Sequence, residues 1–144
     1  MRSFLVILVI LLGLFHLAAF AAEAVFWMNP RVHELFLSAI NPGQTTAPLE
    51  QAAILKTALI SQGAYNLLLA LGALAGLWMI LTGRAESGVV LVGFAAVVAL
   101  GAGLVLIATT QAYVGGAVQA GIGALTLILT AMGAAAPPGS YRTH

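Results

Sequence analysis

His16 and Glu23 are the residues of this chain best suited to chemistry. They are an imidazole and a carboxylate, seven positions apart, inside an apolar run from about Phe4 to Trp27. An ionisable side chain at membrane depth costs several kcal/mol, so it is a functional candidate by default, with a partner to be named. Seven residues is close to two helical turns, which puts both on one face, about 10 Å apart along the axis. Such a pair could serve as catalytic acid and base, because imidazole titrates near neutrality and carboxylates are the other common proton carriers. Phe20 and Trp27 continue the same stripe.

The elements that must carry this pair are membrane helices. The chain has 144 residues, 62% hydrophobic and 6% charged. Soluble domains carry about 25% charged residues, so a water-facing surface could not be made from this composition. Residues 1–144 read as a single integral membrane domain bound to the lipid bilayer. A net charge of +1 offers no basic stripe, which argues against nucleic acid as a partner. There is no cysteine, hence no disulfide and no thiolate metal site. No phosphate loop or cofactor fingerprint is present, and we expect no cofactor.

A spanning helix needs roughly 20 apolar residues. Four stretches qualify, at about 4–27, 57–81, 88–109 and 112–134, followed by a frayed tail at 135–144. Asn29-Pro30, Asn41-Pro42-Gly43 and Thr82-Gly83-Arg84 are turn signals. Thr109-Thr110-Gln111 is a weaker break. A hairpin belongs there because one span from Ser87 to Gly133 would be about 70 Å long, over twice the bilayer core. Arg31–Ala39 reads as a short amphipathic surface helix, with Val32, Leu35, Phe36 and Ala39 toward the membrane and Arg31, His33 and Glu34 toward water. The expected fold is an all-α, four-helix transmembrane bundle. The first segment also carries features of a secretory signal peptide, Arg2 and the small residues at Ala19–Ala24. Its long apolar run and the Glu23–Trp27 end favour a retained span. Arg2, Arg84 and Arg142 fall on one side, Arg31 and Lys56 on the other. Three against two places both termini in the cytoplasm.

With that topology, further polar residues meet His16 and Glu23 in the outer half of the membrane. Gln62, Tyr65 and Asn66 lie in the first turns of the second span, and Gln119 lies about 12 Å into the fourth. Each also has an ordinary structural use. Gln and Asn bond between membrane helices, Tyr65 and Trp27 suit the interfacial aromatic belt, and Glu23 is near enough to a helix end to face water. Convergence of all of them in one layer favours a site. Gly72-Ala-Leu-Ala-Gly76 is a small-residue face for close helix contact. The third span reads as scaffold, and His33 as a solvated loop histidine.

His16-x6-Glu23-x3-Trp27 and Gln62-Gly63-x-Tyr65-Asn66-x2-Leu69-Ala70-x-Gly72 resemble the bacterial "domain of unknown function 1304" family over about residues 13–131. That resemblance implies a short four-span protein of the bacterial plasma membrane and a glutamine in the last helix, matched by Gln119. It brings no activity. Ser61 stands where that family usually has asparagine, and the Gly-x-Tyr-Gly stretch expected near Gly103 is missing, as is the proline after the last-helix glutamine.

The expected function is a polar intramembrane pocket for a small lipophilic molecule. His16 and Glu23 would do the acid-base work of an isomerase, epimerase or hydratase. Gln62, Asn66 and Gln119 would orient a polar group, with Tyr65 and Trp27 walling the apolar part. The alternatives are a proton-coupled transporter using Glu23, commonly a homo-oligomer, and a non-catalytic membrane subunit. Metal binding is not expected, since His16 and Glu23 are too far apart to chelate alone.

Overall fold

The computed structural model describes residues 2–134, with only the backbone of Arg2 and Ala134. The expected tail at 135–144 lies outside the described residues. All regular structure among the described residues is helical. The chain runs through α1 (Arg2–Phe20), a π-helical turn (Ala21–Val25), α2 (Pro30–Ile40), α3 (Pro48–Leu81), α4 (Ala85–Thr109) and α5 (Tyr113–Ala134). Four helices are long and apolar enough to cross a membrane: Ser3–Val25, Pro48–Leu81, Ala85–Thr109 and Tyr113–Gly133. This is the all-α bundle that the apolar runs predict.

Local chemistry sets the breaks. Asn29 caps α2 by accepting from the Arg31 N–H at 3.0 Å, and Pro30 fills the first helical position, where its missing N–H costs nothing. Gly83, at φ +90°, takes the left-handed conformation that ends α3. The weak break at Thr110-Gln111 is indeed a hairpin. Thr110 Oγ1 donates to the Leu106 carbonyl and accepts from the Ala112 N–H. The Gln111 N–H reaches the Ala39 carbonyl at 2.9 Å, which ties this hairpin to the end of α2.

The long helices stand in a ring in which α1 neighbours α3 and α5, and α4 neighbours α3 and α5. Lipid tails are as apolar as leucine, so contact quality rather than hydrophobicity holds such helices together. Small residues supply it. A Cβ added at Gly103 would stand 2.5 Å from the Ala120 nitrogen, so α4 and α5 touch backbone to backbone. On α3 the contact runs through Ala70, Ala73 and Gly76, all buried. Gly72 faces open space, so the Gly72–Gly76 pair does not act together as expected.

Two apolar clusters bracket the middle of the bundle. One gathers Val9, Leu12, Ala73, Leu77 and Val92 with the α4 alanines. The other gathers Trp27, Leu37 and Ala52, with Phe36, Ile40, Leu55 and Leu59 against it. The second cluster corrects the reading of His33 and gives an inward face to α2. Its buried face is His33 and Leu37, while Leu35 is 69% exposed. His33 is therefore not a solvated loop residue. It is 1% exposed, and its Nδ1 donates to the Trp27 carbonyl at 3.2 Å.

Candidate functional site

Between the two clusters lies a three-residue polar chain. Asn66 Nδ2 donates to Glu23 Oε2 at 2.7 Å, and His16 Nδ1 bonds Asn66 Oδ1 at 2.7 Å. The roles follow from the chemistry of the groups. A carboxyl oxygen accepts from the amide nitrogen of Asn66, which faces Glu23. The amide oxygen then faces His16 and only accepts, so the ring must donate from Nδ1. In a neutral imidazole this leaves Nε2 as a bare acceptor.

The backbone makes this chain reachable. Glu23 sits in the π turn, where the Phe26 N–H bonds the Ala21 carbonyl five residues back at 2.8 Å. A π turn is wider than an α turn, so Glu23 leaves the simple two-turn stripe with His16. Gly63 lets α3 meet that turn. A Cβ at Gly63 would stand 2.8 Å from Ala24 Cβ and 3.0 Å from the Ala24 nitrogen. Asn66, three residues on along the same face of α3, is thereby placed between Glu23 and His16.

His16 exposes no surface, and its Nε2 has no hydrogen-bond partner. His16 is one of the residues that border a groove of about 410 Å³, shared by α1, α3, α4 and α5. Gln62, Tyr65, Asn66 and Gln119 line the same groove, with Leu68, Leu69, Phe94, Val98 and Ala102 as its apolar part. Its rim is outward-facing, since Tyr65, Leu68 and Phe94 are each about two-thirds exposed. Gln119 is 9% exposed and has no side-chain hydrogen bond among the described residues.

The predicted residues thus divide. His16, Gln62, Tyr65, Asn66 and Gln119 come together in the groove. Glu23 is half-buried and meets it only through Asn66. Trp27 is elsewhere. Its indole N–H donates to the Ala52 carbonyl at 2.8 Å, and its ring meets His33 and Phe36 edge-on. Sequence reasoning missed the contribution of α4, whose Phe94, Val98 and Ala102 are no different in type from lipid-facing residues. It also assigned no role to Gly63, although a glycine one turn before a membrane-buried asparagine is a signal of close backbone approach.

Fold and site together define a small all-α bundle of four span-capable helices, with a His–Asn–Glu chain, buried at His16 and Asn66, beside an apolar-walled groove. The chain belongs to the family described as protein of unknown function (DUF1304), which it matches over residues 10–131. No curated protein and no solved structure matches it.

Proposed function

We propose that this is a multi-pass protein of the bacterial plasma membrane that binds a small lipophilic molecule in the groove and moves a proton on it through His16. The observation that carries this reading is the Nε2 of His16, fully buried and unpartnered, in a residue that borders the groove. A buried polar atom left unpaired costs about 1–3 kcal/mol, and a ligand group that meets it recovers that cost. The groove volume falls within the usual range for small-molecule sites, about 300–1,000 Å³.

The proton chemistry is that of an isomerase or epimerase. Nε2 takes a proton from the ligand group that bonds it and returns it at another position of the ligand, so no further reactant is consumed. While the ring holds the proton it is a cation. Asn66 Oδ1 then accepts from it, and the Glu23 carboxylate lies one amide away to offset the charge. Glu23 is in this reading a positioning and charge-balancing residue. Gln119 and Gln62 orient the polar group, and Tyr65 walls the apolar part. A proton-coupled carrier built on Glu23 has less support, since Glu23 does not line the groove. With both termini cytoplasmic, the groove opens in the outer half of the membrane.

Gentle purification followed by lipid extraction and mass spectrometry tests this. The native protein should retain a lipophile that His16→Ala and Ala102→Leu, which fills the groove, both lose. Identical extracts from all three would leave the polar chain as interhelical glue in a non-catalytic subunit.

A further inference from the structure

We infer that the molecule taken by this groove is an uncharged amphiphile whose polar end donates a hydrogen bond, a lipid alcohol, and that it reaches His16 from within the bilayer between α3 and α4. The inference rests on the groove being a ligand site and adds which chemical class fits it.

The donor requirement comes from the far end of the polar chain. Glu23 holds the Asn66 amide nitrogen, so Asn66 presents oxygen to His16, and His16 must spend its only ring proton on Nδ1. What remains is the Nε2 lone pair, with no partner. A carbonyl or ether oxygen brings another lone pair to that atom and gains nothing. A hydroxyl satisfies it. Gln119, at the same groove, offers both N–H and carbonyl groups and so can complete the second half of a hydroxyl's bonding.

The exclusion of charge comes from the lining. No lysine or arginine belongs to it. Among the described residues these side chains are Arg31, Lys56 and Arg84, placed in α2, near the start of α3 and in the α3–α4 turn. A phosphate headgroup has no counter-ion here, and a fatty carboxylate would bring a second acceptor to the Nε2 lone pair. The bilayer route comes from the rim. Tyr65, Leu68 and Phe94 are exposed side chains on α3 and α4, well inside stretches that qualify as spans. An opening there faces hydrocarbon rather than water. The ring itself has no exposed surface, so the hydroxyl settles between neighbouring side chains to reach it.

Dodecanol, dodecyl methyl ether and dodecanoate share one chain and differ only in the head, so they separate donor, acceptor and anion. Each would be titrated into the full-length protein in lipid nanodiscs, reading affinity and the ¹⁵N resonances of His16. Dodecanol should bind about tenfold more tightly than the ether, the worth of one hydrogen bond, and should move the Nε2 signal while leaving Nδ1 protonated. His16→Ala should erase the difference between alcohol and ether. Should that variant not fold, the Nε2 response of the native protein to alcohol but not ether decides alone. Equal binding of alcohol and ether, tighter binding of dodecanoate, or an Nε2 already bonded to trapped water and indifferent to alcohol would overturn the inference and leave the groove as a ligand site. No saturable binding of any probe, with Ala102→Leu behaving like native protein, would remove the site and the inference together.

Discussion

His16 Nδ1 and Asn66 Oδ1 lie 2.7 Å apart, joining α1 to α3 across 50 positions of sequence. Asn66 is 6% exposed and His16 has no exposed surface, so neither group can turn to water if the other is removed. Asn66→Leu should therefore orphan both His16 Nδ1 and the Glu23 carboxylate. The expected loss is about 1–3 kcal/mol of stability, measured by thermal or denaturant unfolding in detergent. A change of only a few tenths would mean that the chain adds little to the bundle.

Glu23 can be tested for charge and for position separately. Glu23→Gln retains an oxygen that accepts from Asn66 Nδ2, so the His16 tautomer should survive, with Nδ1 protonated by ¹⁵N spectroscopy. Glu23→Leu removes the acceptor and frees the Asn66 amide to turn over. Mixed tautomers are expected there. Any turnover that depends on the carboxylate charge should fall in both variants, whereas ligand binding should fall only in Glu23→Leu. Equal tautomer populations in the native protein and Glu23→Leu would end the positioning role.

Much of this arrangement could be read from residue types. Four long apolar runs, interrupted at Asn29-Pro30, Asn41-Pro42-Gly43 and Thr82-Gly83, leave little alternative to four span-capable helices. His16, Glu23, Asn66 and Gln119 stood out because each is costly in hydrocarbon. The π turn could not be read, since Ala21-Ala22-Glu23-Ala24-Val25 has nothing in it that distinguishes a five-residue step from a four-residue one. The position of Trp27 depends on a backbone carbonyl of Ala52, and backbone acceptors carry no residue-type signal. The burial of His33 likewise goes with its bond to the Trp27 carbonyl, a second backbone acceptor that residue types do not reveal.

Close approach at Gly63 gives a contrast within one helix. Gly63→Ala puts a methyl group against Ala24 and should cost about 1–3 kcal/mol, while lengthening the Asn66–Glu23 bond. Gly72→Ala meets nothing within 4 Å and replaces a poor helix former, so it should be neutral or stabilising by up to about 1 kcal/mol. Unfolding measurements on the two variants compare them directly. Equal effects would show that the α3 contact with the π turn is not under steric control.

Trp27 should matter to the fold and not to the ligand. Trp27→Phe keeps an aromatic ring beside His33 and Phe36 but removes the indole N–H bond to the Ala52 carbonyl. The Ala52 carbonyl keeps its helical bond within α3, so the expected cost is that of one added hydrogen bond, about 0.5–1.5 kcal/mol, with dodecanol affinity unchanged. A lost affinity at native stability would bring Trp27 back into the site.

The π turn also separates heredity of the fold from heredity of the site. It holds one residue more than an α turn. Deleting Ala22 would let Arg2–Val25 close into an ordinary helix, so Trp27 and everything after it could keep their docking. Glu23 alone would swing by about 100° and leave Asn66 behind. In a lineage without the Asn66–Glu23 bond, a single-codon deletion at this turn would be the mildest scar to look for, erasing the carboxylate's contact without a substitution anywhere in the core.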